Sequence, residues 1–395
     1  MQTLVQEKVD QAVRLLPEFG LDAWLTFVRE TAAGGDPVLP LIYGDSGLTW
    51  ESALILFRNG ERVAVVGRFE QEPARLTGAY TQVIPYDESI RPVLVDIFNR
   101  YDPGAIGINT SLSDVHADGL THGMYTLLQR YLEGTPYPAR LTSAEKLAGA
   151  LRGRKTPAEV ARIRKAVALT GQIFDEIIAE IQPGMTERDV YNMMQARTRQ
   201  MGLGLAWAAA GCPTVNAGPE SPSGHVAPTD IAIQPGHLLH FDFGVRSEGY
   251  CSDIQRLVYF RRPGETEAPP EIRRAFDTVV RAIQASAAVL KPGMAGKDVD
   301  AVARNILVEA GYPEYKHALG HQLGREAHDG GALLGPAWER YGDSPFQKVE
   351  AGQVFTLEPT MHLPGIGAVG LEEDVLVTET GVEFLGPPQT ELIYK

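Results

Sequence analysis

Two cysteines in 395 residues, Cys212 and Cys251, are too few for a disulfide framework, which excludes the small secreted scaffolds that depend on one. Long apolar runs are missing as well. None approaches the roughly 18 residues of a membrane helix, and the opening MQTLVQEKVDQAVRLL has amphipathic spacing without a signal-peptide core. Positive charge is in deficit: 36 Lys and Arg stand against 50 Asp and Glu, a net charge of −14. Nucleic-acid binders present basic patches that release counterions, so neither nucleic acid nor a membrane is an expected partner. A cytoplasmic, globular protein is expected. With 44% apolar and 22% charged residues the composition is that of an ordinary folded protein, long enough for two or three domains.

Residues 1–150 alternate helical and strand patterns. After an opening helix, strands are expected at GLDAWLTF, ALILF, RVAVVG, TQVIPY and AIGIN, with Asn59-Gly60 as a hairpin turn and helices near 90–101 and 118–133. This is a small α/β domain. It holds two of the nine histidines and no grouping of chemical side chains, so a scaffold or a dimer surface is its expected role. A second domain, 151–395, opens at LRGRKTPAEVARIRKA, where Thr156, Pro157 and Glu159 supply an N-cap, a first-turn proline and a capping-box acid for a helix running to about Ile181.

That second domain repeats itself. Ile163-Arg164-Lys165-Ala166 recurs as Ile272-Arg273-Arg274-Ala275, Pro183-Gly184-Met185 as Pro292-Gly293-Met294, Asp189-Val190 as Asp298-Val299 and Gly202 as Gly311, each pair 109 residues apart. Two copies are too few for a solenoid. They predict two α+β halves related by an approximate two-fold axis, with a site at the seam.

Chemistry concentrates at the end of each copy. In HLLHFDFGVRSEGYCSDIQRLVYF, residues 237–260, two apolar arms flank the turn residues Arg246, Ser247, Glu248 and Gly249, and each arm carries one acid, Asp242 or Asp253. With the turn centred near Ser247 and Glu248 the two aspartates face each other. Carboxylates about 5 Å apart repel by roughly 3 kcal/mol at an effective dielectric near 20, so a cation is expected between them. QVFTLEPTMHLPGIGAVGLEEDVLV, residues 353–377, repeats the arrangement around Gly365 with Glu358 and Glu372, although Glu373 competes with Glu372. Between the pairs, HALGHQLGREAHDGG supplies His317, His321 and His328 on a glycine-rich segment. Imidazole plus several carboxylates suits two divalent ions better than one. Such a pair, about 3.5–4 Å apart, polarises a carbonyl and supplies a hydroxide nucleophile.

On these residues, 150–395 resembles the metal-dependent peptidases of the pita-bread fold, the family of methionine aminopeptidase, Xaa-Pro aminopeptidase and Xaa-Pro dipeptidase, and 1–150 resembles the creatinase-type domain of its proline-specific branch. The resemblance implies an α+β pita-bread catalytic domain with an internal pseudo-two-fold repeat, preceded by a smaller α/β domain. It implies that Asp242 binds one metal, that Asp253 and Glu372 bridge both, and that His321 and Glu358 complete the other. Glu358 would also carry the proton from water to the leaving amine, with His225 on the substrate side, His328 bonding the scissile carbonyl and His317 a third substrate-side histidine. Manganese, cobalt or zinc all fit the ligands. The activity implied is hydrolysis of Xaa-Pro bonds in short proline-containing peptides by a homodimer, a dipeptidase in preference to an aminopeptidase on longer peptides. Metal-free creatinase-like hydrolases and non-catalytic binding proteins share the fold without the carboxylate set that this chain keeps.

Two positions depart from the family pattern: Gln255 replaces a threonine after Asp253, and Gly370 stands where proline-specific members carry arginine. Both leave the orientation of Glu372 open. The segment GGALLGPAWERYGDSPFQKVE is longer than usual and offers Arg340 as the partner of a substrate carboxylate. His237, His240 and His362 read as packing or surface residues.

Overall fold

A computed structural model describes residues 3–222, 224 and 226–395. The chain divides into two compact units, the first ending at Arg152 and the second running from Gly153 to Lys395. In the first, strands β1 (Ala23–Val28), β2 (Ser52–Phe57), β3 (Arg62–Gly67), β4 (Gln82–Tyr86), β5 (Ile106–Ile108) and β6 (Leu141–Ser143) form one mixed sheet in the order β4-β3-β2-β1-β5-β6. Its central strands β1 and β2 are buried at every position because both faces are covered. Leu54, Leu56, Ala64 and Val66 enter one core, and their neighbours Ala53, Ile55, Val63 and Val65 enter the other. Gly60, at φ +98°, turns β2 into β3 as the Asn-Gly pair predicts. The helices Arg91–Tyr101 and His122–Leu132 fall where the apolar spacing puts them. The three-residue β6 is too short for periodicity to reveal.

The second unit is built on two helix pairs. Pro157–Glu180 is followed by Glu187–Gln200, and Pro270–Val289 by Gly296–Glu309. Each pair is joined through a Pro-Gly-Met turn, where Gly184 and Gly293 take φ of +94° and +88°, a region that favours glycine. Thr156 accepts from the Glu159 amide, and Glu159 accepts in return from the Thr156 amide at 2.8 Å. The other Glu159 oxygen takes the Tyr250 hydroxyl at 2.9 Å, so the start of this helix is tied to the first hairpin. Thr156→Ala is expected to cost about 1 kcal/mol, read as a lower urea midpoint at unchanged slope.

Beyond the helices, β7 (Gly204–Leu205), β8 (Thr214–Ala217), β9 (Leu238–Phe243), β10 (Val245–Ser247), β11 (Tyr250–Cys251) and β12 (Ile254–Tyr259) close the first repeat. In the second repeat, β13 (Val354–Leu357), β14 (Thr360–Leu363), β15 (Gly367–Gly370) and β16 (Glu373–Val377) form its long hairpin. Phe241 and Phe243, alternate residues of β9, pack their rings edge-on against Phe174 at 5.8 Å each. Alternation then sends Asp242, between them, to the opposite face.

Candidate metal centre

The first hairpin turns one residue later than the sequence suggests. Arg246 and Ser247 stay in β10, Ser247 pairs with Tyr250, and the turn is the two-residue Glu248-Gly249 at φ +50° and +78°. Those angles suit a type I′ turn, whose twist matches the strands, and they are what places a non-glycine residue in the left-handed region. The expected opposition of Asp242 and Asp253 is corrected accordingly. Asp242 pairs with Gln255 on one side and Thr214 on the other, while Asp253 falls in the break between β11 and β12. The aspartates meet diagonally, two residues apart in register and on the same face.

The second hairpin keeps one register throughout. Leu357 pairs with Glu373 and Thr360 with Gly370, so Glu358 and Glu372 occupy the interrupted step between the two ladders, opposite each other. Pro359, which has no N–H, falls in that interruption. Glu372 exchanges backbone hydrogen bonds of 3.4 Å with Gln255, which joins the two hairpins edge to edge. Alternation decides between the adjacent glutamates. Glu373 points away and forms a buried ion pair with Arg256 at 2.9 Å.

His321 reaches the acids because its strand-like segment lies against β13. Thr356 donates its amide to the His321 carbonyl at 3.0 Å, and a Cβ on Gly320 would collide with the Thr356 carbonyl. The imidazole Nε2 comes to 3.3 Å from Glu358 Oε1 and 3.8 Å from Asp253 Oδ2. Among the described residues, Asp253, His321 and Glu372 offer ligating atoms that all lie within 4.8 Å of one another.

Without a cation the electrostatics of this cluster are unfavourable. Burial pushes the carboxyls of Asp242, Asp253, Glu358 and Glu372 upward, Asp242 to about 7, and neighbouring acids add to the rise in the last three. His321 gives no countercharge, because burial lowers its pKa to about 3. Asp253 Oδ1 and Glu372 Oε1 are buried with no hydrogen-bond partner among the described residues. Orphaned carboxylate oxygens converging on a neutral imidazole are the donor set that a divalent cation satisfies.

The other predicted residues surround this cluster unevenly. His328 is exposed, its ring 4.2 Å from the His321 ring. His317 is held by its own backbone, with Nδ1 2.7 Å from the Ala318 carbonyl and Nε2 3.4 Å from that of Thr360. Arg340 is exposed, donates to the Lys316 carbonyl at 2.5 Å and stacks on Trp338 and Tyr341 at 4.6 and 4.9 Å. His225 lies outside the described residues.

Three supporting residues escaped the sequence reading. His240, read as packing, bonds Gln255 at 2.9 Å, and Thr360 bonds the same amide oxygen at 2.9 Å. Buried Asp374 accepts the Asp253 amide at 3.1 Å. An acidic triplet, Glu372-Glu373-Asp374, opening an apolar strand was the available signal for Asp374.

Buried acids gathered on two hairpins around a neutral histidine are the kind of donor set that holds a divalent metal in a hydrolase. Residues 161–379 match metallopeptidase family M24. An uncharacterised peptidase of Staphylococcus saprophyticus is 31% identical over 335 residues, 84% of this chain and 87% of that protein. The chain belongs to metallopeptidase family M24. Among solved structures, the Xaa-Pro dipeptidase from Bacillus anthracis superposes with a TM-score of 0.76 at 22% identity, covering 99% of this chain and 100% of that one. The X-Pro aminopeptidase from Thermotoga maritima gives 0.72 at 23%, covering 98% and 99%, and the prolidase from Pyrococcus furiosus 0.68 at 23%, covering 96% and 99%. The fold is therefore the pita-bread fold with an N-terminal α/β unit, and the protein is a metallopeptidase that uses divalent metal ions.

Proposed function

We propose that this metallopeptidase hydrolyses Xaa-Pro bonds in short peptides, acting as a dipeptidase, with two divalent ions, manganese, cobalt or zinc, held by Asp242, Asp253, His321, Glu358 and Glu372. The observation that carries the metal reading is the pair of orphaned oxygens, Asp253 Oδ1 and Glu372 Oε1, buried beside a neutral His321. Proline specificity rests on the resemblance to the dipeptidase, prolidase and aminopeptidase structures. The intact carboxylate set argues against a metal-free hydrolase or a non-catalytic binding protein.

Bound metal supplies Lewis-acid polarisation of the scissile carbonyl and a nucleophile at neutral pH. The side chains do the rest. Glu358 keeps 20% side-chain exposure where Glu372 is 1% exposed, which suits it to take a proton from attacking water and return it to the leaving prolyl nitrogen. His328 is assigned the donor to the carbonyl oxygen as it gains charge, a role supported by its exposure and its ring 4.2 Å from that of His321. His225 is assigned to the substrate side by its resemblance alone. His317 and Arg340 stand on the same side of the reading, as substrate contacts. In keeping with the family resemblance we assign a creatinase-type role to the N-terminal unit, a homodimeric assembly and a cytoplasmic setting, the last supported by two buried free cysteines.

Product analysis with Ala-Pro, Ala-Pro-Ala and an amidated tripeptide at fixed manganese tests the assignment. Cleavage of Ala-Pro alone is expected; equal cleavage of all three would make the protein an aminopeptidase. In the same assay Arg340→Ala is expected to raise the KM for Ala-Pro by roughly tenfold, the worth of one exposed charge-assisted contact. An unchanged KM removes Arg340 from the substrate site.

A further inference from the structure

Gln255 is an uncharged amide among acids, 4% exposed, in β12 opposite Asp242. Its two polar atoms have separate partners. Nε2 donates to Glu372 Oε2 at 3.0 Å. Oε1 accepts the Thr360 hydroxyl at 2.9 Å and stands 2.9 Å from His240 Nε2, which donates to it in the Nε2–H tautomer. An amide can be turned over only by exchanging donor for acceptor, and two donors aimed at Oε1 oppose that exchange. The N–H end is thus held on Glu372 from two directions, by β9 through His240 and by β14 through Thr360.

Gly370 makes room for this arrangement. It pairs with Thr360 across the β14–β15 ladder, and a Cβ there would fall on the Thr360 hydroxyl, with Cγ2 and Cβ of Thr360 at 2.7 and 2.8 Å. Gly370 has ordinary backbone angles, so what it contributes is space for the threonine. The two departures from the family pattern, Gln255 and Gly370, are therefore parts of one device that meets at Thr360.

We propose that Gln255 is the positioning residue of the Glu372 carboxylate: with its amide fixed by His240 and Thr360, it holds Oε2 and leaves the orphaned Oε1 for the metal. The proposal rests on the metal-centre reading above. A carboxylate that ligates a metal must hold its free oxygen in a fixed orientation, and removal of an outer partner that fixes it typically costs roughly 10–100-fold in metal affinity.

Two substitutions in the full-length chain test it. Gln255→Met keeps the length and loses the donor, while Thr360→Val keeps the shape and the backbone carbonyl near His317 and loses only the hydroxyl. Manganese affinity of the stripped protein is read by titration calorimetry, with its unfolding temperature and with kcat and KM on Ala-Pro. Q255M is expected to weaken manganese by roughly 10–100-fold and to lower kcat at saturating metal with KM unchanged. T360V is expected to weaken it less, and the double variant to be no worse than Q255M, because the hydroxyl acts through the amide. A lowered unfolding temperature with wild-type affinity would show a packing role only and overturn the proposal, as would strictly additive losses. Should Q255M fail to fold, T360V decides, and wild-type affinity in T360V overturns the proposal. Wild-type protein that binds neither manganese, cobalt nor zinc stoichiometrically overturns the metal-centre reading and this proposal with it. Tight wild-type binding matched by both variants overturns the positioning role alone.

Discussion

Glu358→Gln is expected to lower kcat on Ala-Pro by roughly 10²–10⁴-fold, the usual contribution of a positioned general acid–base, while leaving KM within a small factor. The amide keeps the volume of the side chain and one carbonyl oxygen, which stays in reach of His321 Nε2 where Glu358 Oε1 now lies at 3.3 Å. What it loses is the ability to accept a proton. Metal content, measured by elemental analysis, should therefore fall far less than the rate. A second consequence separates catalysis from folding. Burial raises the Glu358 pKa well above the ordinary range, so the acid opposes folding at neutral pH when metal is absent, and the stripped E358Q protein should melt higher than stripped wild type. Near-wild-type turnover in E358Q would remove Glu358 from proton transfer and leave it, at most, as a ligand.

How much of this was legible in the chain depends on how far apart the partners stand. Asn59-Gly60, the Thr156-Pro157-Glu159 helix start and the two Pro-Gly-Met turns are local chemistry, and each is found where the sequence puts it. The first hairpin shows what limits such reading. Glu248 takes a left-handed conformation that its side chain does not advertise, so the turn sits at Glu248-Gly249 and Asp242 faces Gln255 in place of Asp253. The chemistry survived the error. Moving the centre of a turn by one residue shifts each partner by two, and a shift of two keeps every side chain on its own face. Asp253 therefore still points into the site with Asp242. The second hairpin, centred on Gly365, has the register its symmetry suggests, with Glu358 opposite Glu372.

Contacts that join the hairpins are of another kind. Gln255 and Glu372 are 117 residues apart, as are Arg256 and Glu373, and Asp253 and Asp374 are 121 apart. No periodicity or turn rule relates residues at such separations. Alternation turns the two glutamates to opposite faces, and the packing of one repeat against the other sets Arg256 beside Glu373 and leaves Glu372 Oε1 without a partner among the described residues. In the sequence Gln255 and Gly370 were anomalies; in the fold, Thr360 stands between them.

Stripping the metal with a chelator should reverse the dependence of stability on pH. Asp242, Asp253, Glu358 and Glu372 all have folded pKa values raised by burial, about 7 for Asp242, against an unfolded value near 4. For an acid shifted upward the folded state binds more protons. Its contribution to stability is fully present below the unfolded pKa and is lost as pH rises through the folded value. The stripped protein should therefore be least stable at about pH 8 and gain on acidification toward about pH 5.5, by the acids' contribution less what neutral His321 costs below about pH 6.5. Loaded protein should do the opposite, because the ligands must be deprotonated to bind and protons compete with metal as pH falls. Metal at about a thousand times its Kd adds roughly 4 kcal/mol to the folded state, so the gap in melting temperature is expected to be wide near pH 8 and to close near pH 5.5. Calorimetric scans of loaded and stripped protein across this range provide the measurement. Parallel curves would mean that the acids carry no unbalanced charge in the empty site, and the case for cations between them would fall with that result.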